Sequence, residues 1–207
     1  MLGGSLLALL ILADTIDPLQ TAIDHYQGVA AYQVVVTSTR GDRSETLRYY
    51  FRKPGQVRIE FVQPFRGAVL IYDPATQRAR LWPFGYRTFP ALTLRPGSPL
   101  IRSATGQRID RSDVGALYDN MQRLQQHGST AVSRSEVIAG KDTLQLSVDG
   151  EQGFSVGAVH RYQLWLDPQS GFPVKVISHD VAGRLIEVVE LNELQINPVF
   201  PDGFFNP

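Results

Sequence analysis

Residues 45–62 read ETLRYYFRKPGQVRIEFV, and this stretch decides the fold. Apolar and polar side chains alternate on both sides of a Pro54-Gly55 pair, a pattern typical of two strands joined by a tight turn. Because successive side chains of a strand point to opposite faces of its sheet, the apolar set shares one face. That set is Leu47, Tyr49 and Phe51 on the first strand, and Val57, Ile59 and Phe61 on the second. The stretch predicts an antiparallel hairpin with a large, partly aromatic inner face.

The period of two continues along most of the chain. Strands are predicted over residues 32–39, 45–53, 57–62, 67–72, 78–84 and 89–94, and over 131–139, 143–148, 159–166, 174–179 and 185–194. Helical spacing occurs twice, after Asp17-Pro18 as far as Gly28, and over 110–128 with Asp110 or Ser112 as its cap. Two helices are too few for a full second layer. We therefore predict a mainly β fold with few helices (α+β), a strongly curved sheet or unclosed antiparallel β-barrel with a helical lid.

Length and composition limit the class of protein. The 207 residues are 43% hydrophobic and 19% charged, with a formal net charge of zero and no cysteine. This size suits a single domain over residues 14–207. Without a run of more than two basic residues, nucleic acid is not an expected partner. The apolar residues Leu2–Ala13 are too few to cross a bilayer, so we expect a signal-like or anchor segment over 1–13, with export to the periplasm and tethering if it is retained.

The sequence carries no strong catalytic motif. It has no phosphate-binding glycine loop and no H-E-x-x-H pair. Residues 153–157 have the spacing G-x-S-x-G but lie between two predicted strands, without the strand-to-helix turn that a nucleophile elbow requires. His160 and His179 could face each other across a hairpin, but such pairs are usually plain surface contacts. Glu187 and Glu190, three residues apart on one strand, would point to opposite faces and lie in solvent. We expect a non-catalytic protein that needs no metal and no cofactor.

Residues 50–73 resemble the central signature of the bacterial lipoprotein carrier family LolA/LolB. A strand ends at Lys53-Pro54, a second strand precedes Gln63-Pro64, and a third ends at Asp73. The resemblance implies a helix-lidded, unclosed barrel that carries lipoprotein acyl chains, with an inner-membrane release complex and an outer-membrane acceptor as candidate partners. LolA commonly has arginine at the position of Lys53, where it helps to hold the lid closed. Lys53 is therefore the candidate lid latch, although lysine offers a point donor in place of a planar fork.

We expect a monomeric periplasmic protein that binds the acyl chains of lipoproteins or other lipids in a hydrophobic cavity. The candidate lining residues are Leu47, Tyr49, Phe51, Val57, Ile59, Phe61, Leu70, Leu81, Trp82, Leu117, Met121 and Leu124. Two alternatives stay open: an envelope-stress sensor or scaffold domain of the same fold that binds a protein or lipid signal, and a filled sandwich without a ligand. The stretch from Trp82 to Tyr86 places three aromatic residues beside a turn, where contact with a ligand or partner is a further hypothesis.

Overall fold

The computed structural model describes residues 17–103, 106–133, 136–138 and 140–207. The two α-helices are α1 (Pro18–Gln27) and α2 (Val114–Gln125). The strands of the first half are β1 (Ala31–Arg40), β2 (Arg43–Arg52), β3 (Gln56–Gln63), β4 (Val69–Asp73), β5 (Arg78–Trp82) and β6 (Leu92–Leu94). Those of the second half are β7 (Gly128–Ser133), β8 (Val137–Ile138), β9 (Lys141–Asp142), β10 (Leu144–Gly150), β11 (Arg161–Leu166), β12 (Pro173–His179) and β13 (Leu185–Ile196). Short 3-10 turns cover Pro99–Ile101 and Ile109–Arg111.

Eleven strands form one antiparallel sheet in the order β6-β5-β4-β3-β2-β1-β13-β12-β11-β10-β7, and β8 pairs with β9 alone. Each half of the chain is a meander, and the last strand, β13, lies between β1 and β12 and joins the two halves. The end strands β6 and β7 do not pair with each other, so the sheet is not closed by hydrogen bonds. This architecture confirms the predicted fold class.

The register also confirms the predicted inner face. Leu47 pairs with Phe61, Tyr49 with Ile59 and Phe51 with Val57 across β2 and β3. All six side chains belong to one apolar cluster, which also takes in both helices and the strands of the second half. We call the side of the sheet that carries this cluster the inner face. The cluster includes Ile101 and Ile109 from the two 3-10 turns, so the connection before α2 also covers this face.

Several predicted boundaries were wrong. The second helix begins at Val114, with Asp113 as its cap in place of Asp110 or Ser112, because Ile109–Arg111 forms a separate 3-10 turn. The strand predicted over 131–139 is divided into β7 and β8, and residues 134–135 and 139 lie outside the described part. The strands predicted to start at 67 and 89 start at Val69 and Leu92.

The apolar segment predicted over residues 1–13 lies outside the described residues. In the part of the chain that the structure covers, no helix is long and apolar enough to cross a membrane.

The outer face of the first meander is covered by the C-terminal residues 198–207. Arg58, buried on β3, donates from Nη1 to the Phe204 carbonyl oxygen over 3.0 Å and lies over the rings of Phe204 and Tyr86, 4.4 and 4.6 Å from their centroids. Phe205 is 1% exposed and Arg52 lies 4.7 Å from its ring centroid. The tail therefore forms a second, smaller packed layer on the outer face.

Candidate functional site

The two helices lie side by side and are tied at both ends. The Tyr26 hydroxyl donates to Asp113 Oδ2 over 2.7 Å, and Gln125 Nε2 donates to Asp17 Oδ2 over 2.9 Å. Asp17 and Asp113 are also the N-caps of α1 and α2, accepting from the Leu19 and Gly115 amides. Each aspartate thus stabilises the start of its own helix and binds the end of the other, which makes α1 and α2 one antiparallel unit.

Tyrosine side chains hold this unit on the sheet. The Tyr32 hydroxyl accepts from the Val114 amide over 3.1 Å, at the first residue of α2, and the Tyr49 and Ser112 hydroxyls lie 2.9 Å apart. The Tyr118 hydroxyl donates to the Gly171 carbonyl oxygen. Burial raises the pKa of Tyr32, Tyr49 and Tyr118 above the ordinary tyrosine value, so these hydroxyls keep their protons near neutral pH.

Lys53 contacts the end of α1. Its Nζ donates to the carbonyl oxygens of Gln27 and Tyr26 over 2.9 and 3.2 Å and lies 5.1 Å from the centroid of the Tyr26 ring. Carbonyl groups at the end of a helix lack partners within the helix and carry partial negative charge, so a cation there is favourable. Lys53 therefore contacts the helix unit through a point donor in an exposed position, and its role as a lid latch stays a prediction.

A cavity of about 150 Å³ lies between the start of α2 and the middle strands of the sheet. Its wall is mostly apolar, with Tyr49 and Leu117 as the members of the predicted set that reach it. The remaining apolar wall consists mainly of residues that the predicted lining set did not include: Val34, Val36, Val159, Val176, Val189 and Leu191. The cavity thus lies nearer to β13 than to the hairpin that identified the fold.

Most other predicted lining residues belong to the inner face but pack against their neighbours. This group lies in the same apolar cluster without bordering the cavity: Leu47, Phe51, Val57, Ile59, Phe61, Leu70, Leu81, Met121 and Leu124. The prediction that Trp82 lines the cavity is wrong, because Trp82 packs with Val69 and Ile71 in a separate cluster, against Tyr86. Leu81 precedes it on β5, and neighbours on a strand point to opposite faces. Leu81 and Trp82 therefore cannot both face the interior of the protein.

A polar group borders the apolar wall. Glu187 and Ser178 line the cavity; the Ser38 hydroxyl donates to Glu187, and Arg40 Nε lies 3.8 Å from Glu187 Oε1. Burial raises the pKa of the neighbouring Glu45 carboxyl. The positive charge of Arg40 lowers that pKa, and the negative charge of Glu187 raises it further. Glu187 was predicted to lie in solvent, which is wrong, because its side chain is 13% exposed and faces inward. Glu190 is exposed, so the two carboxylates do not form a pair.

The histidine alternative is not supported by the register. Arg161 pairs with His179, and the His160 amide donates to the His179 carbonyl oxygen over 2.9 Å, so the two residues are neighbours through their backbones. The His160 ring is engaged elsewhere, because its Nδ1 lies 2.7 Å from the Phe154 carbonyl oxygen. Within the described ranges, no group of three or more histidine, aspartate or glutamate side chains is arranged to hold a metal ion.

Comparisons with known proteins give matches of structure alone. No protein-family model matches the chain, and no curated protein matches it. An uncharacterised conserved protein from Thermus thermophilus superposes with a TM-score of 0.54 at 12% identity, over 89% of this chain and 90% of that one. MucB gives 0.55 at 16% identity over 94% of this chain and 63% of its own, and the Pseudomonas aeruginosa MucA/MucB complex also matches. This chain thus spans less than two thirds of MucB.

A LolA superfamily protein from Nitrosomonas europaea covers 97% of its own length and 91% of this chain, at 14% identity and a TM-score of 0.39. Identities of 12–16% show a shared fold and nothing finer. With TM-scores of 0.54 and 0.55, the Thermus protein and MucB share the fold of this chain.

Proposed function

We propose that this protein is a non-catalytic periplasmic binding protein that holds the acyl chains of lipoproteins or other lipids against its inner face. The observation that carries the proposal is an apolar cavity covered by a helix unit that polar side chains hold in place. Four hydrogen-bonding side chains hold this unit in place. Tyr32, Tyr49 and Lys53 bind it from β1, β2 and the turn after β2, and Tyr118 binds the loop between β11 and β12. Each such hydrogen bond contributes only about 0.5–1.5 kcal/mol net, so a few of them suit a cover that a ligand or partner opens.

The size of the cavity requires this opening. Ligand pockets usually measure about 300–1,000 Å³, and an engineered protein cavity of about 150 Å³ holds one benzene. The observed 150 Å³ therefore admits the end of an acyl chain and no more. A full chain, whose burial contributes about 0.8 kcal/mol per methylene, needs the unit of α1 and α2 to move away from β1 and β2. An inner-membrane release complex and an outer-membrane acceptor are the proposed partners for loading and unloading.

Two neighbouring valines on β13 supply the test. Val189 lines the cavity, whereas Val188 is similarly half-buried but points to the other face. Val189→Phe fills the space where a chain end enters and should weaken binding of a fluorescent fatty acid about tenfold or more. Val188→Phe adds the same volume outside the cavity and should change binding far less. Urea unfolding of both variants shows whether either change acts through stability.

Native mass spectrometry of the purified protein, followed by solvent extraction, identifies any lipid that it carries. A co-purifying acylated species that Val189→Phe removes and Val188→Phe retains supports the proposal. An empty protein that also binds no fluorescent fatty acid refutes the carrier function.

The second candidate is a sensor or scaffold domain that binds a protein or lipid signal. The tight packing of Phe51, Val57 and Leu70 on the inner face favours it, since these side chains leave little room beneath the helices. The likeness to MucB, whose complex with MucA is known, gives a precedent for protein binding on this fold. An empty protein in the mass spectrum, together with capture of a specific envelope protein, would support this candidate over the carrier.

A further inference from the structure

Charge is distributed unevenly along this chain. Residues 74–109 contain six arginines and no aspartate or glutamate, in a chain with a formal net charge of zero. These six are Arg78, Arg80, Arg87, Arg95, Arg102 and Arg108. The segment includes β5, β6 and the turn between them, and β6 is the end strand of the sheet, bonded to β5 alone. We call the surface formed by β5, β6 and residues 83–103 the arginine edge.

Large apolar side chains project from the same surface. Phe89 is 94% exposed and Phe84 is 73% exposed, both on the turn after β5, and Leu92 and Leu100 are exposed further along. Together they are four of the eleven large hydrophobic side chains that are exposed in the described residues. Single exposed hydrophobic residues need no explanation, but several beside a one-sign charge cluster indicate an interaction surface.

We propose that the arginine edge docks on an anionic lipid surface, with Phe84 and Phe89 entering the interface and the arginines binding lipid phosphate groups. Aromatic side chains favour the headgroup region of a bilayer, and guanidinium groups pair with phosphate oxygens in bidentate geometry. Each cation near an anionic membrane adds to the attraction.

The arginines are placed for this role. Arg80 and Arg87 border one open groove with Phe89, and Arg78, Arg95 and Arg108 border another, of about 350 and 830 Å³ respectively. Arg80 and Arg87 lie over the rings of Trp82 and Tyr86, 5.3 and 5.0 Å from their centroids, which positions the guanidinium groups without neutralising them. Of the six, Arg108 alone forms an ion pair within the described part of the chain, with Asp110.

A lipid surface explains these features better than a nucleic acid. Single-stranded nucleic acid stacks its bases on open aromatic faces. Phe84 and Phe89 offer two open rings, but Trp82 is buried and arginines lie over the Trp82 and Tyr86 rings. An oligonucleotide control therefore tests whether these two rings stack bases. Leu92 and Leu100 offer no stacking surface, whereas an acyl boundary accommodates both aliphatic and aromatic side chains. An acidic peptide would account for the arginines but would leave the exposed phenylalanines unexplained.

Flotation with vesicles tests the proposal. The intact protein should float with vesicles of phosphatidylglycerol and phosphatidylcholine, and much less with phosphatidylcholine alone. At about fivefold in partition coefficient for each arginine, Arg80→Gln/Arg87→Gln should weaken binding roughly 25-fold. Phe84→Ser/Phe89→Ser should weaken binding at least as strongly, because each ring leaves water on docking. The matched control is Val181→Ser/Arg123→Gln, which removes an exposed apolar side chain between β12 and β13 and an exposed arginine on α2 and should bind as the wild type does.

The absence of cysteine permits a second, site-specific readout. Phe84→Cys gives a single labelling site on the turn, and Val181→Cys gives one at a side chain that is 62% exposed between β12 and β13. An environment-sensitive fluorophore should move to shorter emission wavelength on anionic vesicles at the first site and not at the second. Equal shifts at both sites, or flotation unchanged in both arginine and phenylalanine variants, would overturn the proposal. So would tighter binding to a single-stranded oligonucleotide than to the vesicles.

This inference does not depend on what the cavity holds. Val189→Phe should leave flotation with anionic vesicles unchanged, whereas it should weaken fatty-acid binding about tenfold or more. The two proposals can therefore fail separately.

Discussion

The hydrogen bond between Tyr26 and Asp113 offers the sharpest test of the helix unit. Tyr26→Phe removes the hydroxyl and leaves the ring in place, and Asp113→Ser removes the carboxylate that accepts from Tyr26 but keeps a short side-chain oxygen that can cap the Gly115 amide. A hydrogen bond to a charged group contributes about 1.5–3 kcal/mol. The pair is partly buried, so we expect a coupling energy at the lower end, about 1.5 kcal/mol.

A double-mutant cycle measured by urea unfolding isolates this energy. For a chain of this length, Tyr26→Phe should lower Tm by roughly 3–6 °C. Hydrogen exchange at the first amides of α2 should become faster in both single variants, because each loosens the same helix end.

The exposed pair Gln20 and Asp24 on α1 provides the reference cycle. Its side chains are 2.8 Å apart, and such pairs contribute only about 0.2–0.5 kcal/mol. If the Tyr26 and Asp113 coupling is no larger than this reference, the two helices are not held as a unit by the bond. The proposed opening would then need another explanation.

Three further predictions concern the same region. Lys53→Met should destabilise the end of α1 by about 0.3–1 kcal/mol, whereas Lys53→Arg should keep the contacts with the Tyr26 and Gln27 carbonyls, as hydrogen exchange of α1 can show. Gly115→Ala, which normally favours a helix, should destabilise the fold by about 1 kcal/mol in urea unfolding, because the new Cβ would lie 2.6 Å from the Tyr26 ring. Burial raises the pKa of Tyr162 to about 12 and that of Tyr118 above the unfolded value near 10, so the folded chain keeps protons that the unfolded chain releases. The free energy of unfolding should therefore hold below about pH 10 and fall above it by about 1.4 kcal/mol per pH unit for each such tyrosine, and Tyr118→Phe should reduce the slope of that decline.

Local patterns predicted the parts of this fold that depend on neighbours in sequence. The alternation around Tyr49 and Phe51 determines which side chains face inward, and Asp17-Pro18 starts α1 as its capping chemistry requires. The start of α2 was misplaced because Asp110, Ser112 and Asp113 all have capping side chains. A sequence pattern does not show that Ile109–Arg111 turns separately before the helix.

The position of the cavity depends on contacts between distant residues. Val159, Val176 and Val189 become its wall because β13 pairs with β1 and because α2 begins above that junction. No pattern among neighbouring residues indicates the pairing of β13 with β1 or the position of α2 above it. The family resemblance also concerned the first meander alone. The run of six arginines without an acidic residue was visible in the sequence, but it is dispersed and escapes a search for adjacent basic residues.

The central position of β13 has a consequence for how the chain is made. Tyr32 on β1 pairs with Ile196 on β13, so the middle of the sheet joins residues from almost opposite ends of the sequence. Both meanders can assemble during translation, but they cannot join until residues 185–196 have left the ribosome. Until then β1 and β12 are open strand edges that can pair with other chains. We therefore expect the complete sheet to form late, because it requires pairing between residues as distant in sequence as Tyr32 and Ile196.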